Sequence, residues 1–251
     1  MSNVYQAPES NLVDDNVSMG KYGSVEKAVR GEYEFSIGSV LSEAWAKTSG
    51  SKLAIHLGFL FYFIVIMGLM MVLGLATAGL VAVNEDPSGM VLMQLIMQLG
   101  MNLVGMPMIM GIAMIAIKHS VDAPIKASMV FGYFSKMLPL FVTMIVMYIM
   151  MLIGFVLLVI PGIYLMVAYY MAMPLVVEKG MGPWEALETS RKTITHRWFS
   201  VFGLFFIMVI IVTISMIPLG IGLIWSMPMM MLAYGILYRN MFGVEASTIT
   251  D

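Results

Sequence analysis

The chain has 251 residues, 60% of them hydrophobic and only 11% charged, with a mean hydropathy of +0.92. A water-soluble domain is roughly half apolar, so this composition excludes an ordinary soluble fold and points to lipid as the solvent. A net charge of -2 without a basic tail speaks against a nucleic-acid partner, and with Cys 0 there is no disulfide, thiolate nucleophile or cysteine metal ligand.

In chain order, residues 1–35 mix Asp14, Asp15, Lys21, Lys27, Arg30 and Glu32 with Gly, Ser and Asn. They contain no apolar core of the signal-peptide kind, and the reading is a disordered polar cytoplasmic tail. The membrane domain is expected over 36–242, because six apolar runs follow: Leu53 to Val83, Met90 to Ile117, Leu138 to Ile160, Ile163 to Val177, Trp198 to Ile217, and Ile221 to Tyr238. About 20 apolar residues at ~1.5 Å each cross the hydrocarbon core, which predicts six transmembrane helices. The runs are separated alternately by Asn84–Gly89, Pro161-Gly162 and Pro218-Leu219-Gly220 on one side and by charged segments on the other. The pairs Pro161, Gly162 and Pro218, Gly220 read as hairpin turns. Residues 243–251 form a short cytoplasmic C-terminal tail.

Cations set the orientation, since Lys and Arg collect in short cytoplasmic loops. Every Lys and Arg lies before the first run, between the second and third, between the fourth and fifth, or after the sixth. The other three loops hold only Glu85 and Asp86 as charges, so both termini are predicted on the cytoplasmic side.

Each odd-numbered run is preceded by a segment that reads as an interfacial amphipathic helix. The clearest is Pro183 to Trp198; Ser36 to Thr48 and Asp122 to Met137 have the same design. Trp45 with Lys47, Phe134 with Lys136, and Trp198 with Arg197, together with Trp184 and Arg191, are expected to anchor depth at the interface. The fold expected is therefore an all-α membrane protein of three hairpins, each introduced by a surface helix. Met106-Pro107, Met173-Pro174 and Met227-Pro228 in the even runs suggest an internal repeat.

The segment Ile160-Pro161-Gly162-Ile163-Tyr164-Leu165, followed by Glu185-Ala186-Leu187 and Ser190, resembles the six-helix membrane domain fused to some bacterial glycerophosphodiester phosphodiesterases, and its uncharacterised stand-alone relatives. The resemblance runs from about Pro139 to Phe206. It implies a place in the bacterial inner membrane and a six-helix architecture; it implies no hydrolase activity, because the catalytic domain of the fused members has no counterpart here.

Three features carry candidate chemistry. Gln94, Gln98 and Asn102 fall on one face of the second run, as interhelical glue or as the wall of a polar cavity. Pro107, Pro174 and Pro228 free backbone carbonyls, either kinking helices for packing or marking a binding site. Met 30 invites thioether binding of Cu(I), although methionine in apolar spans is normally an adaptable filler. His56, His119 and His196 have no metal-ligand spacing, and no Gly-x-Ser-x-Gly, His-Glu-x-x-His or P-loop string occurs. The expectation is a non-enzymatic inner-membrane scaffold or accessory factor in envelope or lipid physiology, with the bilayer and other membrane proteins as partners and no cofactor or metal. The alternative is a transporter or lipid-handling protein with a cavity among the hairpins.

Overall fold

The computed structural model describes residues 22–81 and 87–250, and the regular structure among them is all helical. We name the helices α1 (Val25–Val29), α2 (Ile37–Val81), α3 (Pro87–Ser120), α4 (Met137–Leu157), α5 (Val159–Ala168), α6 (Ala172–Glu178), α7 (Pro183–His196), α8 (Trp198–Met216), α9 (Leu223–Phe242) and α10 (Ala246–Thr250). Two 3-10 turns, Ala127–Phe131 and Phe134–Lys136, lie between α3 and α4. Among the described residues, five segments are long and apolar enough to cross a membrane: Ile37–Thr77, Ser88–Ser120, Ala127–Leu157, Val159–Glu178 and Trp198–Met216. The sixth expected, α9, falls short because Ser226, Pro228, Tyr234, Tyr238, Arg239 and Asn240 dilute its apolar content.

Several boundaries differ from expectation, each for a local reason. The segment from Ser36 to Thr48 is not a separate surface helix, because α2 continues through Lys47-Thr48-Ser49-Gly50-Ser51-Lys52. There the Thr48 hydroxyl donates to the Ala44 carbonyl (2.7 Å) and Ser51 to the Thr48 carbonyl (3.2 Å), so the polar side chains bond back into the helix. Gly50 faces the His119 ring, where a Cβ would come within 3.1 Å. Before α4 the two 3-10 turns replace the expected amphipathic helix, with Pro124 and Gly132 in the segment. Only α7 matches the surface-helix design, so the segments that introduce the three hairpins do not repeat.

The reversal expected at Pro161-Gly162 lies at Leu158, whose extended backbone (φ -165, ψ 152) alone separates α4 from α5. Pro161 sits in the first turn of α5, where its missing N–H costs no hydrogen bond. Gly162 is buried against the Phe155 ring, 2.4 Å from where a Cβ would stand. The expected helix over 163–177 is two pieces, α5 and α6, separated at Tyr169–Met171. The turn at Pro218 and Gly220 is present, with Leu219 (φ 54) and Gly220 (φ 79) in the left-handed region. Residues 84–86 of the first expected turn lie outside the described residues.

The presumed tails also carry structure. Residues 1–21 lie outside the described residues, but from Tyr22 the chain packs: α1 buries Ala28, and Tyr33 is buried among α7 residues. At the other end Gly243 lies against Gly23, and α10 follows.

The core forms where α2, α3 and α9 meet. Two glycines let backbones touch: a Cβ on Gly235 of α9 would lie 2.6 Å from the Ala116 backbone of α3, and one on Gly111 would lie 2.5 Å from Val130 Cα. From Met108 to Lys118, α3 is buried almost throughout. The outer halves of α2 and α3 instead expose Phe63, Ile64, Met67, Met71, Leu75, Val91, Leu92 and Leu95. In lipid such exposure carries no hydrophobic penalty, so close packing and hydrogen bonds hold the bundle together.

Candidate functional site

Among the described residues, the buried charged side chains Lys118, Glu178 and Arg239 gather at one end of the bundle, where α3, α6 and α9 finish. Arg239, in the last turn of α9 and 6% exposed, donates from Nη1 and Nη2 to the two carboxylate oxygens of Glu43 on α2 (2.7 and 2.9 Å). Nη1 also donates to the Ser120 carbonyl at the end of α3, and the guanidinium lies 4.6 Å from the Tyr22 ring centre. One side chain thus ties three helices, using the planar fork that lysine lacks.

A second knot closes α6. The Glu178 carboxylate is fully buried and accepts from the Tyr238 hydroxyl (2.8 Å) and from the Glu245 backbone N–H (2.6 Å), with Lys179 at 3.3 Å. Lys179 also donates to Glu245 (2.6 Å). At the start of the 3-10 segment, Lys47 donates to Asp122, and this ammonium holds the Asp122 carboxyl below the usual carboxylate range. On α7, Arg191 makes a two-point pair with Glu188 (2.7 and 2.9 Å), which lowers the Glu188 carboxyl and raises the guanidinium. The Tyr33 hydroxyl donates to the Thr193 carbonyl (2.9 Å), and burial pushes its phenol up to about 12.

Beneath this collar lies a recess of about 350 Å³ between α3, α4, α5, α6 and α9. Its wall includes Met110, Met147, Met151, Met166, Met173, Met230 and Met231, with Tyr169, Tyr170 and Tyr234. Pro174 explains one side of it. It stands in the first turn of α6, so the Tyr170 carbonyl has no N–H of residue 174 to accept, and the Tyr234 hydroxyl donates to it instead (3.3 Å). The Tyr170 and Tyr234 rings meet edge to face at 5.0 Å, and Phe205 adds a second edge contact to Tyr170 at 5.7 Å. Unbranched thioether side chains beside fixed aromatic rings make an adaptable apolar wall of the size usual for small-ligand sites.

The residues singled out in the sequence are scattered relative to this site. Gln94 and Gln98 are exposed on the outer half of α3, and Asn102 donates to the Gln98 carbonyl within its own helix (2.8 Å); none lines the recess. Pro107 and Pro228 are buried inside unbroken helices, whereas Pro174 kinks nothing because it begins one. Of the interfacial set, Trp45, Phe134 and Trp184 are exposed, Lys47 and Arg191 are paired as described, and Arg197 lies 3.9 Å from Glu34. Lys136 closes the second 3-10 turn. The Trp198 indole N–H donates to the Tyr164 carbonyl (3.1 Å). The sequence reading missed the Arg239–Glu43 and Glu178–Tyr238 pairs. Their only trace was a tyrosine-arginine pair closing the last apolar run.

Fold and site together define a multi-helix membrane protein with a one-sided polar collar over an apolar recess. No protein-family model matches the chain, and no curated protein or solved structure matches it either.

Proposed function

We propose that this protein is a non-catalytic integral protein of the bacterial cytoplasmic membrane, a scaffold or accessory factor in lipid physiology that holds a lipid chain in the methionine and tyrosine recess. The observation that carries this reading is the recess itself: an apolar wall drawn from five helices, opening in a bundle whose outer surface is made for lipid. Three helical hairpins, α2 with α3, α4 with α5 and α6, and α8 with α9, enter from the cytoplasmic side, and both termini lie there. The one-sided distribution of Lys and Arg supports that orientation. The resemblance carried by Ile160–Leu165 supports the location.

The recess favours lipid handling over transport of polar solutes, because Gln94, Gln98 and Asn102 lie away from it. The test is lipid extraction from protein purified in mild detergent. A defined lipid is expected near one per chain, and Met166→Trp, at a half-exposed wall position, is expected to lower that occupancy at least threefold without loss of folded protein. Absence of retained lipid from the unaltered chain, or a hydrolase activity in the pure protein, overturns the proposal.

A further inference from the structure

The α4–α5 hairpin is apolar at its tip beyond what a loop in water allows. Phe155, Val156, Leu157, Leu158, Val159 and Ile160 are consecutive and all exposed, Ile160 to 78%. No polar side chain occurs from Phe155 to Ile163. Length and apolarity alone admit a full crossing by each arm.

What packs against the second arm argues otherwise. Helix α7 runs antiparallel along α5 and α6 for its whole length. The Ser190 hydroxyl donates to the Ala168 carbonyl (2.7 Å) and accepts from the Met171 backbone N–H (3.1 Å), while Thr195 and Tyr164 share a hydrogen bond of 2.6 Å. Leu187 sits in one cluster with Tyr169 and Ala172. Both ends of α7 carry charge: Glu185 in its first turn with Lys179 just before it, and Lys192 with Arg197 at the other end. The far end is also covered by the charged segment before α2, through Arg197 with Glu34, His196 with the Val29 carbonyl, and Tyr33 with the Thr193 carbonyl.

Fourteen helical residues reach about 20 Å, most of the ~30 Å hydrocarbon thickness. If α5 and α6 stood upright, one charged end of α7 would be buried deep in lipid, where ionic side chains are strongly disfavoured. Both ends stay wet only when α7 lies along the interface, and α5, α6 and their antiparallel partner α4 then lie with it. Helix α4 fits that posture. Leu138, Val142, Ile145, Ile149, Leu152 and Val156 form an exposed stripe at helical spacing, widened by Tyr148 and Ile153 on either side, a broad face turned toward acyl chains.

We propose that the α4–α5 hairpin turns back within the cytoplasmic leaflet without crossing the membrane, its tip in contact with the acyl chains of that leaflet. The inference rests on the reading of the charged face as cytoplasmic, and the test separates the two. With Cys 0, each introduced cysteine is the only thiol. Lys192→Cys reports the charged face: labelling by an impermeant maleimide in inverted vesicles, and not in intact cells, is expected. Leu158→Cys carries a bimane fluorophore, attached in detergent before reconstitution into vesicles whose orientation is scored by protease. A nitroxide phospholipid is then added from outside, where it enters the outer leaflet only. Quenching several-fold stronger in inside-out than in right-side-out vesicles is expected. Equal quenching, or stronger quenching in right-side-out vesicles, overturns the leaflet assignment while leaving the orientation intact. Labelling of Lys192→Cys in intact cells overturns the orientation on which it stands.

Discussion

Arg239 is a cation within a helix of the core, only 6% exposed, and its environment sets what its loss costs. Removing one partner of a buried pair leaves the other charge poorly solvated. Because the Glu43 side chain is 34% exposed, water compensates part of that, and Arg239→Met is expected to destabilise by about 2 kcal/mol. Adding Glu43→Gln is expected to restore part of the loss, measured as a double-mutant cycle of thermal unfolding in detergent. Tyr33 gives a pH signature. Its phenol titrates near 12 when folded, raised by burial, against 10.0 ordinarily. Between those values the unfolded chain loses the proton first, so stability falls as pH rises through that window and is intact below it. Tyr33→Phe is expected to cost about 1 kcal/mol at neutral pH, through the lost bond to Thr193. It is also expected to flatten that alkaline limb in a pH series of unfolding.

At the level of helices, contact between backbones decides where substitution is tolerated. Gly235→Leu would drive a side chain into the Ala116 backbone of α3 and is expected to destabilise by about 2 kcal/mol. Gly74→Leu on the outer half of α2 has open space within 4 Å and is expected to stay within about 0.5 kcal/mol. Melting the two variants side by side checks the contrast. The same elements show how far local signals reach. The starts of α7 and α8 and the turn at Pro218 to Gly220 were legible, because proline, glycine and charge act there on their immediate neighbours. The reversal at Leu158 was not, because Pro161-Gly162 suits a turn and a helix's first turn equally well. The continuity of α2 was hidden for a related reason: Thr48 and Ser51 look like breakers until their hydroxyls are seen to bond within the helix.

Over the whole molecule, the polar collar and the exposed apolar surface divide the chain between two solvents. Arg239 with Glu43, and Tyr238 with Glu178, join helices far apart in sequence at one end, while the α8–α9 tip exposes the apolar side chains of Met216, Ile217, Leu219 and Ile221. The candidate site belongs to this scale. Met110, Met147, Met173 and Met230 come from four different helices, and nothing in their local surroundings distinguishes them from the methionines that face lipid, such as Met67 and Met71.

The class of protein was legible in the sequence alone, because a bilayer acts on each residue separately: a run of apolar side chains is soluble in hydrocarbon and a lysine is not, whatever their neighbours. Only the tertiary structure decided that α2 is one helix, that Arg239 is clasped by Glu43, that seven methionines share one recess, and that a charged helix lies along the α4–α5 hairpin. Those outcomes depend on which helices touch and at what register, and contact between distant segments leaves no mark on composition or spacing.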